Sequence, residues 1–313
     1  MNLRRFLALV PALVIITSAT VTPLPTRYPL AVTDDSGASV LLPAAPRRIV
    51  SLTLPSDEVL LSLVGPERLS AVTTYAADPG VSNVAAQVAG RLRTLTMNVE
   101  AVIDLRPDLA IVANWSDARA VSQLRAAGVP VYLMASGLTI ESIEQKILRL
   151  GLLTDESARA AEMVAGMEAR LQAVQSRVAR VPAADRLRVM DYSDWGTSSG
   201  RGSSWDDIVA HAGLLNVVGD RVSDEWGQVP LARESLLAID PDLLVLPGWI
   251  DGDPNGAASF FNRITKDPAL RTLSAVKRNR VLVMPENLRS ATSQYIVDAV
   301  EWLAHAAYPA FVP

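Results

Sequence analysis

The pentapeptide Gly196-Thr197-Ser198-Ser199-Gly200 satisfies G-x-S-x-G, the spacing that lifts a serine Oγ on a sharp strand-to-helix turn for attack on a carbonyl. Ser198 would be the nucleophile, His305 its base, and an intervening carboxylate such as Asp251 would orient the imidazole. That chemistry needs a strand directly before the turn and a helix directly after it. Here Ser193-Asp194-Trp195 separates the preceding strand from the loop, and Arg201-Gly202-Ser203-Ser204 separates the loop from the next helix. His305 lies well inside an amphipathic helical pattern. A serine hydrolase using Ser198 is therefore the alternative reading of the chain, and no catalytic residue is assigned.

Carboxylates and indoles recur with more regular spacing. Residues 98–115 read NVEAVIDLRPDLAIVANW and residues 232–249 read ARESLLAIDPDLLVLPGW. At an offset of 134 residues Glu100 falls on Glu234, Pro107 on Pro241, Asp108 on Asp242, Leu109 on Leu243 and Trp115 on Trp249. Random pairing of two such windows would give roughly one identity. The chain thus builds one helix–turn–strand unit twice, with an acid in the first helical turn and a tryptophan just past the strand. A first-turn acid is favoured by the helix dipole alone, but the repetition asks for a partner that meets both copies.

Two similar scaffolds must carry these copies. Residues 28–43 alternate on both sides of Asp34-Asp35-Ser36-Gly37, a hairpin signal. Strand-like runs at 47–52, 69–73, 109–113 and 130–134 then alternate with helical patterns over 56–64, 99–105, 116–127 and 141–152. Residues 154–182 have a different texture. Thr154 can cap a helix, Pro182 stops it, and Ala, Met, Leu and Val recur between them at helical spacing. Such a helix of about 26 residues would reach roughly 40 Å, the length of a strut between lobes. After Pro182 the alternation restarts: a strand at 186–192, a helix at 205–212, the second copy of the repeat, a strand at 278–284 and a closing helix at 292–308. The expected fold is α/β, with two similar lobes of mainly parallel sheets flanked by helices and joined by one long α-helix. The expected boundaries are 1–19 for a signal peptide, 20–45 for a leader and hairpin, 46–153 for the first lobe, 154–182 for the linking helix and 183–313 for the second lobe.

Composition narrows the function classes. Lys and Arg number 29 against 33 Asp and Glu, a net charge of −4, which argues against nucleic acid as a partner. Residues 1–19 combine Arg4 and Arg5, an apolar core from Phe6 to Ile16 and small residues at Thr17-Ser18-Ala19, the pattern of a cleaved secretory signal. The apolar run is too short for a membrane span and carries Pro11. There is no Cys, so no disulfide framework and no cysteine for a lipid anchor is expected, and a soluble periplasmic location fits. With only His211 and His305, a protein-built site for a bare transition metal is not expected either.

Several motifs taken together resemble one family. The hairpin running into LPAAPRRIVSLTLPSDEVLLSLVG, the MNVEAVIDLRPDL unit, GTSSGRGSSWDDIVAHAGLLNVVG and ESLLAIDPDLLV resemble the periplasmic substrate-binding proteins of ABC importers for ferric siderophores and cobalamin. The resemblance covers nearly everything after the signal segment. It implies capture without chemistry, no cofactor, and a monomer that serves an ABC permease dimer with its ATPase. It also implies that Glu100 and Glu234 dock onto arginines of the two permease subunits, which would explain the duplication: a two-fold partner presents two equivalent basic patches. Trp115 and Trp249 lie past carboxyl ends of strands, where open α/β sheets bind ligands. The resemblance adds Tyr75, the Thr94 region, Trp195, Trp226 and the ENLRSAT turn around the cleft, with Arg93, Arg201 and Arg289 in the same loops. Flat indoles suit a corrin, a porphyrin or a catecholate, and guanidinium groups suit anionic oxygens. Thr94 stands where cobalamin binders of the family often carry an aromatic residue. That departure, with the three arginines, favours a ferric siderophore over cobalamin or haem as the cargo.

Overall fold

The computed structural model describes residues 26–224 and 226–312. The signal-peptide reading of residues 1–19 and the start of the leader lie outside the described residues. The chain first forms an antiparallel hairpin of β1 (Leu30–Thr33) and β2 (Ser39–Leu42). Asp34 closes its turn by accepting from Ser36 and Ala38 backbone N–H groups, both at 2.9 Å. The first lobe is a five-stranded sheet of β3 (Ile49–Ser51), β4 (Leu69–Thr73), β5 (Thr94–Leu95), β6 (Leu109–Ala113) and β7 (Val131–Met134). Its order is β5-β4-β3-β6-β7 and every pair is parallel. All residues of β3 and β6 are buried, as expected of central strands covered on both faces.

The second lobe contains β8 (Arg188–Asp191), β9 (Thr197–Ser199), β10 (Leu215–Asn216), β11 (Gln228–Pro230), β12 (Leu243–Pro247) and β13 (Val281–Met284). Four of these make a parallel sheet in the order β10-β8-β12-β13, while β9 and β11 pair antiparallel as a separate ribbon. The ribbon was not visible in the sequence, where residues 193–204 read as loop. A helix over Gly256–Thr265, likewise unmarked by the pattern, covers one face by burying Phe260 and Ile264.

Between the lobes runs the long helix Ser157–Val178, whose Ala160, Val164, Met167, Leu171, Val174 and Val178 form one buried stripe. Its 22 residues give a length of about 33 Å. Thr154 ends the preceding helix, Ile140–Thr154, instead of capping this one, because Asp155 turns into the left-handed region at φ 63° and breaks the run. The stripe belongs to a core that is continuous across both lobes, joining Leu60, Ile147 and Val174 to Ile208, Val300 and Leu303. The closing helix Ile296–Ala307 packs against the long helix and against the helix Ser204–His211.

Candidate ligand-binding cleft

The repeated unit is built the same way in both lobes. Each short helix, Val99–Asp104 and Arg233–Ile239, ends in a residue of positive φ before a proline, Arg106 at 48° and Asp240 at 45°. The next residue but one is an aspartate that fastens the start of the neighbouring strand. Asp108 accepts from the N–H groups of Arg47 and Arg48 at 3.0 and 2.7 Å, and Asp242 accepts from Arg188 N–H at 3.1 Å. Arg48 and Arg188 in turn donate to the carbonyls of Arg106 and Asp240 at 2.7 and 3.0 Å. Ile49 then pairs with Leu109, and Val189 with Leu243, in matching registers. The Pro-Asp pair of the repeat is thus a strand-start clamp, a role for Asp108 and Asp242 that sequence reasoning had not assigned. Glu100 and Glu234 occupy the first turns of the two helices and both are exposed.

Beyond the carboxyl ends of the strands lies a cleft with two halves. The first, about 480 Å³, is walled by Pro55, Val59, Met134, Leu138, Ile143 and Ile147. The second, about 460 Å³, is walled by Ser193, Thr197, Ser199, Ser203, Gln228 and Arg289. Leu138 and Trp226 line both, so the halves adjoin. Trp115 from the first lobe and Trp226 from the second meet edge to face there, with ring centroids 6.1 Å apart. Asp224 sets Trp226 in place, accepting from the N–H groups of Trp226 and Gln228 at 2.9 and 2.8 Å. One half is therefore a hydrocarbon surface and the other a field of hydroxyls and amides. Trp205, also on the polar wall, is 2% exposed and its indole N–H has no hydrogen-bond partner among the described residues. Buried donors without partners are rare, and no sequence signal separated this tryptophan from a core residue.

The cation of the polar half is compensated. Arg289 donates to Asp191 at 3.2 Å and through two nitrogens to Glu286 at 2.8 Å. Burial alone would lower its pKa, but these carboxylates outweigh burial and the net shift is upward. Asp191 is also held by Ser198 Oγ at 3.0 Å and by Ser199 N–H and Oγ at 2.7 and 2.8 Å.

At the base of the cleft the lobes are tied together. Glu58 accepts from Asn83 N–H and Nδ2 at 2.9 Å and from Ser293 Oγ, while Asn287 Nδ2 donates to Asn83 at 2.8 Å. Burial raises the Glu58 pKa against these donors. Trp249 closes over Gly80, where a Cβ would stand 2.3 Å from its ring, so only glycine allows this approach.

Of the residues expected around the cleft, Trp115, Trp195, Trp226 and Arg289 line it. Tyr75, Arg93, Thr94, Arg201 and Trp249 are not among the described residues lining these halves. Thr94 sits on the edge strand opposite Val72, and the Arg93 carbonyl accepts from Val72 N–H. Tyr75, 60% exposed, lies in the turn after β4. Arg201 is a solvated ion pair with Asp220. The hydrolase reading finds no geometry to support it. Ser198 lies on β9, fully buried against Asp191, whereas His305 is exposed on the closing helix and bonds the Val312 carbonyl at 2.8 Å through Nδ1. Asp251 is exposed in a loop. No group of three or more His, Cys, Asp or Glu able to hold a metal ion is found among the described residues.

Known proteins share this architecture. The chain matches the family described as "Periplasmic binding protein" over residues 49–288, and it belongs to that family. It is a binding protein of the two-lobed, long-helix class that serves ABC importers, and not an enzyme. The "Cobalamin-binding protein" of Halobacterium salinarum is 25% identical over 279 residues, 89% of this chain and 74% of the relative. An uncharacterised ABC transporter substrate-binding lipoprotein of Bacillus subtilis, YvrC, is 23% identical over 90% of this chain and 86% of its own. Among solved structures, an ABC-type Fe3+-hydroxamate transport protein of Saccharomonospora viridis superposes with a TM-score of 0.69 at 24% identity, over 90% of this chain and 99% of that one. The molybdate-binding MolA of Haemophilus influenzae reaches 0.74 at 18% identity, over 90% and 92%. Among the described residues no helix is long and apolar enough to cross a membrane.

Proposed function

We propose that the protein captures a metal already wrapped in its organic ligand, specifically a corrinoid, and delivers it from the periplasm to an ABC permease with its ATPase. The carrying observation is the division of the cleft into an apolar half with an indole pair and a polar half with no uncompensated cation. A corrin ring offers a broad apolar face, and its amide side chains offer neutral donors and acceptors to Thr197 and Gln228 on the polar wall. Arg289 spends its charge on Asp191 and Glu286, so a strongly anionic ferric catecholate would meet little counter-charge. A ferric siderophore, which the arginines favoured in the sequence, is the second reading; Lys146 on the apolar wall is the cation nearest to serving it, and it too faces a carboxylate, Asp35 at 3.5 Å. Haem would need an axial ligand; neither His lines the cleft, and Met134 is the side chain on its walls that could supply one.

In this reading residues 1–19 are removed on export and the mature chain acts alone. Glu100 and Glu234 dock on two equivalent permease arginines, each in the first turn of an equivalent helix. The ties across Glu58, Asn83 and Ser293 keep lobe closure small. Tryptophan emission titrated with cyanocobalamin, haemin, a ferric hydroxamate and a ferric catecholate tests the cargo. Saturable quenching by cyanocobalamin in the micromolar range or tighter is expected. Quenching by the catecholate with none by cyanocobalamin overturns the corrinoid reading. For docking, Glu100→Arg with Glu234→Arg should abolish uptake while leaving cargo affinity intact; undiminished uptake sinks that part.

A further inference from the structure

The second lobe carries a shallow groove of about 710 Å³ outside the cleft, and the cargo reading makes no use of it. Its floor is the stacked pair Tyr192 and Phe260, with ring centroids 6.1 Å apart. Arg263 lies 5.1 Å above the Phe260 ring, Lys266 follows on the same helix end, and Arg233 pairs with Asp267 at 2.7 Å. Against these three cations the lining holds two acids, Asp194 and Asp267, so the groove is locally basic on a chain of net charge −4. Arg263 and Lys266 are exposed. Trp195 forms the ridge: it is 84% exposed and lines both this groove and the polar half of the cleft.

We propose that this groove receives an acidic periplasmic segment of the permease, and that Trp195 carries the contact into the cargo site. Exposed tryptophan and arginine are the residue types that dominate protein interfaces. A rim of fixed charge beside the oppositely charged Glu234 sets register between partners. The groove is continuous with the proposed docking point, because Arg233 precedes Glu234 in one helical turn. In the first lobe Val99 occupies the place of Arg233, so the cation next to the docking acid is not repeated there. A two-fold permease therefore meets a basic slot beside the carboxylate of the second lobe that the Val99 position does not reproduce in the first. An acidic segment seated in that slot presses on the outer face of the wall whose inner face touches cargo.

The inference rests on the permease reading, and the test separates the two. Arg263→Glu with Lys266→Glu changes only exposed side chains. Its binding to the cognate permease and ATPase in nanodiscs is measured beside that of the wild type and of the Glu100→Arg, Glu234→Arg pair. The expected result is at least a tenfold loss of affinity at low ionic strength, shrinking in high salt, with unchanged cyanocobalamin quenching. Trp195→Ala should weaken permease-stimulated cargo release by more than it weakens docking. Undiminished docking of the Arg263, Lys266 variant overturns the groove while leaving the permease reading intact. Undiminished docking of the Glu pair overturns both. Saturable binding of citrate in the groove, lost in the same variant, also overturns the proposal by giving the slot to a free anion.

Discussion

The two lobes use one frame for two chemistries. Register makes Ser51 on β3 and Asp191 on β8 equivalent, since Ser51 pairs with Ile111 and Asp191 with Val245 at the same step of the repeat. In the first lobe that position is a fully buried hydroxyl, 2.6 Å from Ser56 Oγ. In the second it is a carboxylate that gathers two serines and an arginine. The next-but-one residues, Thr53 and Ser193, face the apolar and the polar halves of the cleft. The repeat is kept where strands must start and abandoned where side chains look into the cleft. A duplicated scaffold can therefore hold an amphiphilic cargo between unlike walls.

That contrast breaks most sharply at Asp191. Asp191→Ala takes from Arg289 one of its two carboxylates, leaving Glu286, and leaves Ser198 Oγ, Ser199 Oγ and Ser199 N–H without the acceptor they share. A hydrogen bond to a charged group is worth about 1.5–3 kcal/mol. Ser51→Ala removes one neutral hydrogen bond, worth about 1 kcal/mol. Urea unfolding of the two variants should give this inequality; equal costs would mean that the polar wall is not organised by Asp191.

The first lobe has a buried carboxyl of its own, and it behaves differently because no cation among the described residues pairs with it. Asp57 is fully buried, accepts from Thr73 N–H at 3.1 Å and Thr73 Oγ1 at 2.5 Å through one oxygen, and has no partner for the other. Burial pushes its pKa from 3.8 up to about 8, against the hydrogen bonds of Thr73. With the folded value above the unfolded one, its stabilising share is complete below the unfolded pKa and is lost as pH climbs toward about 8. Asp57→Asn removes that titration. Relative to the wild type, the variant should gain of order a few kcal/mol between pH 4 and pH 8, at about 1.4 kcal/mol per pH decade. Parallel urea midpoints for the two proteins across that range would refute it.

Much of the frame was legible because it is local. The repeat, the alternation of strands and helices, and the placement of Trp115 past a strand depend on residues a few positions apart. The polar wall was not legible, because it is made by distant pairs. Arg289 looks like a free cation in the ENLRSAT turn until Asp191, 98 residues earlier, comes to stand beside it. Asp57 and Glu58 look like solvated first-turn acids until Thr73, Asn83 and Ser293 close over them. Trp205 fits a helical apolar face by spacing alone; only its unpartnered N–H sets it apart. Sheet pairing also escaped where the strands are short and polar, as in β9 and β11.

The shared part of the frame predicts equality. Asp108 and Asp242 each fasten a strand start through backbone N–H groups. Asp108→Ala and Asp242→Ala should each cost about 1–2 kcal/mol, and the double variant should show their sum, because the sites share no partner. A large non-additive term in unfolding free energies would mean that the two clamps communicate and the lobes are less independent than their geometry.

The smallest difference lies at the caps of the two docking helices. Asn98 accepts from Ala101 N–H at 2.9 Å, whereas Ala232, in the equivalent place, offers no side-chain acceptor. Ala232 nonetheless has the extended conformation of a cap, φ −64° and ψ 151°, so the backbone is ready for one. Asn98→Ala should then cost about 1 kcal/mol and Ala232→Asn should recover a similar amount for the second lobe. Thermal melts of the two variants read both signs. If Ala232→Asn stabilises the protein yet weakens permease binding, the uncapped turn beside Glu234 is left open for the partner, and the lobes differ at the docking face for the same reason they differ in the cleft. If it stabilises without touching docking, that difference is confined to the helix.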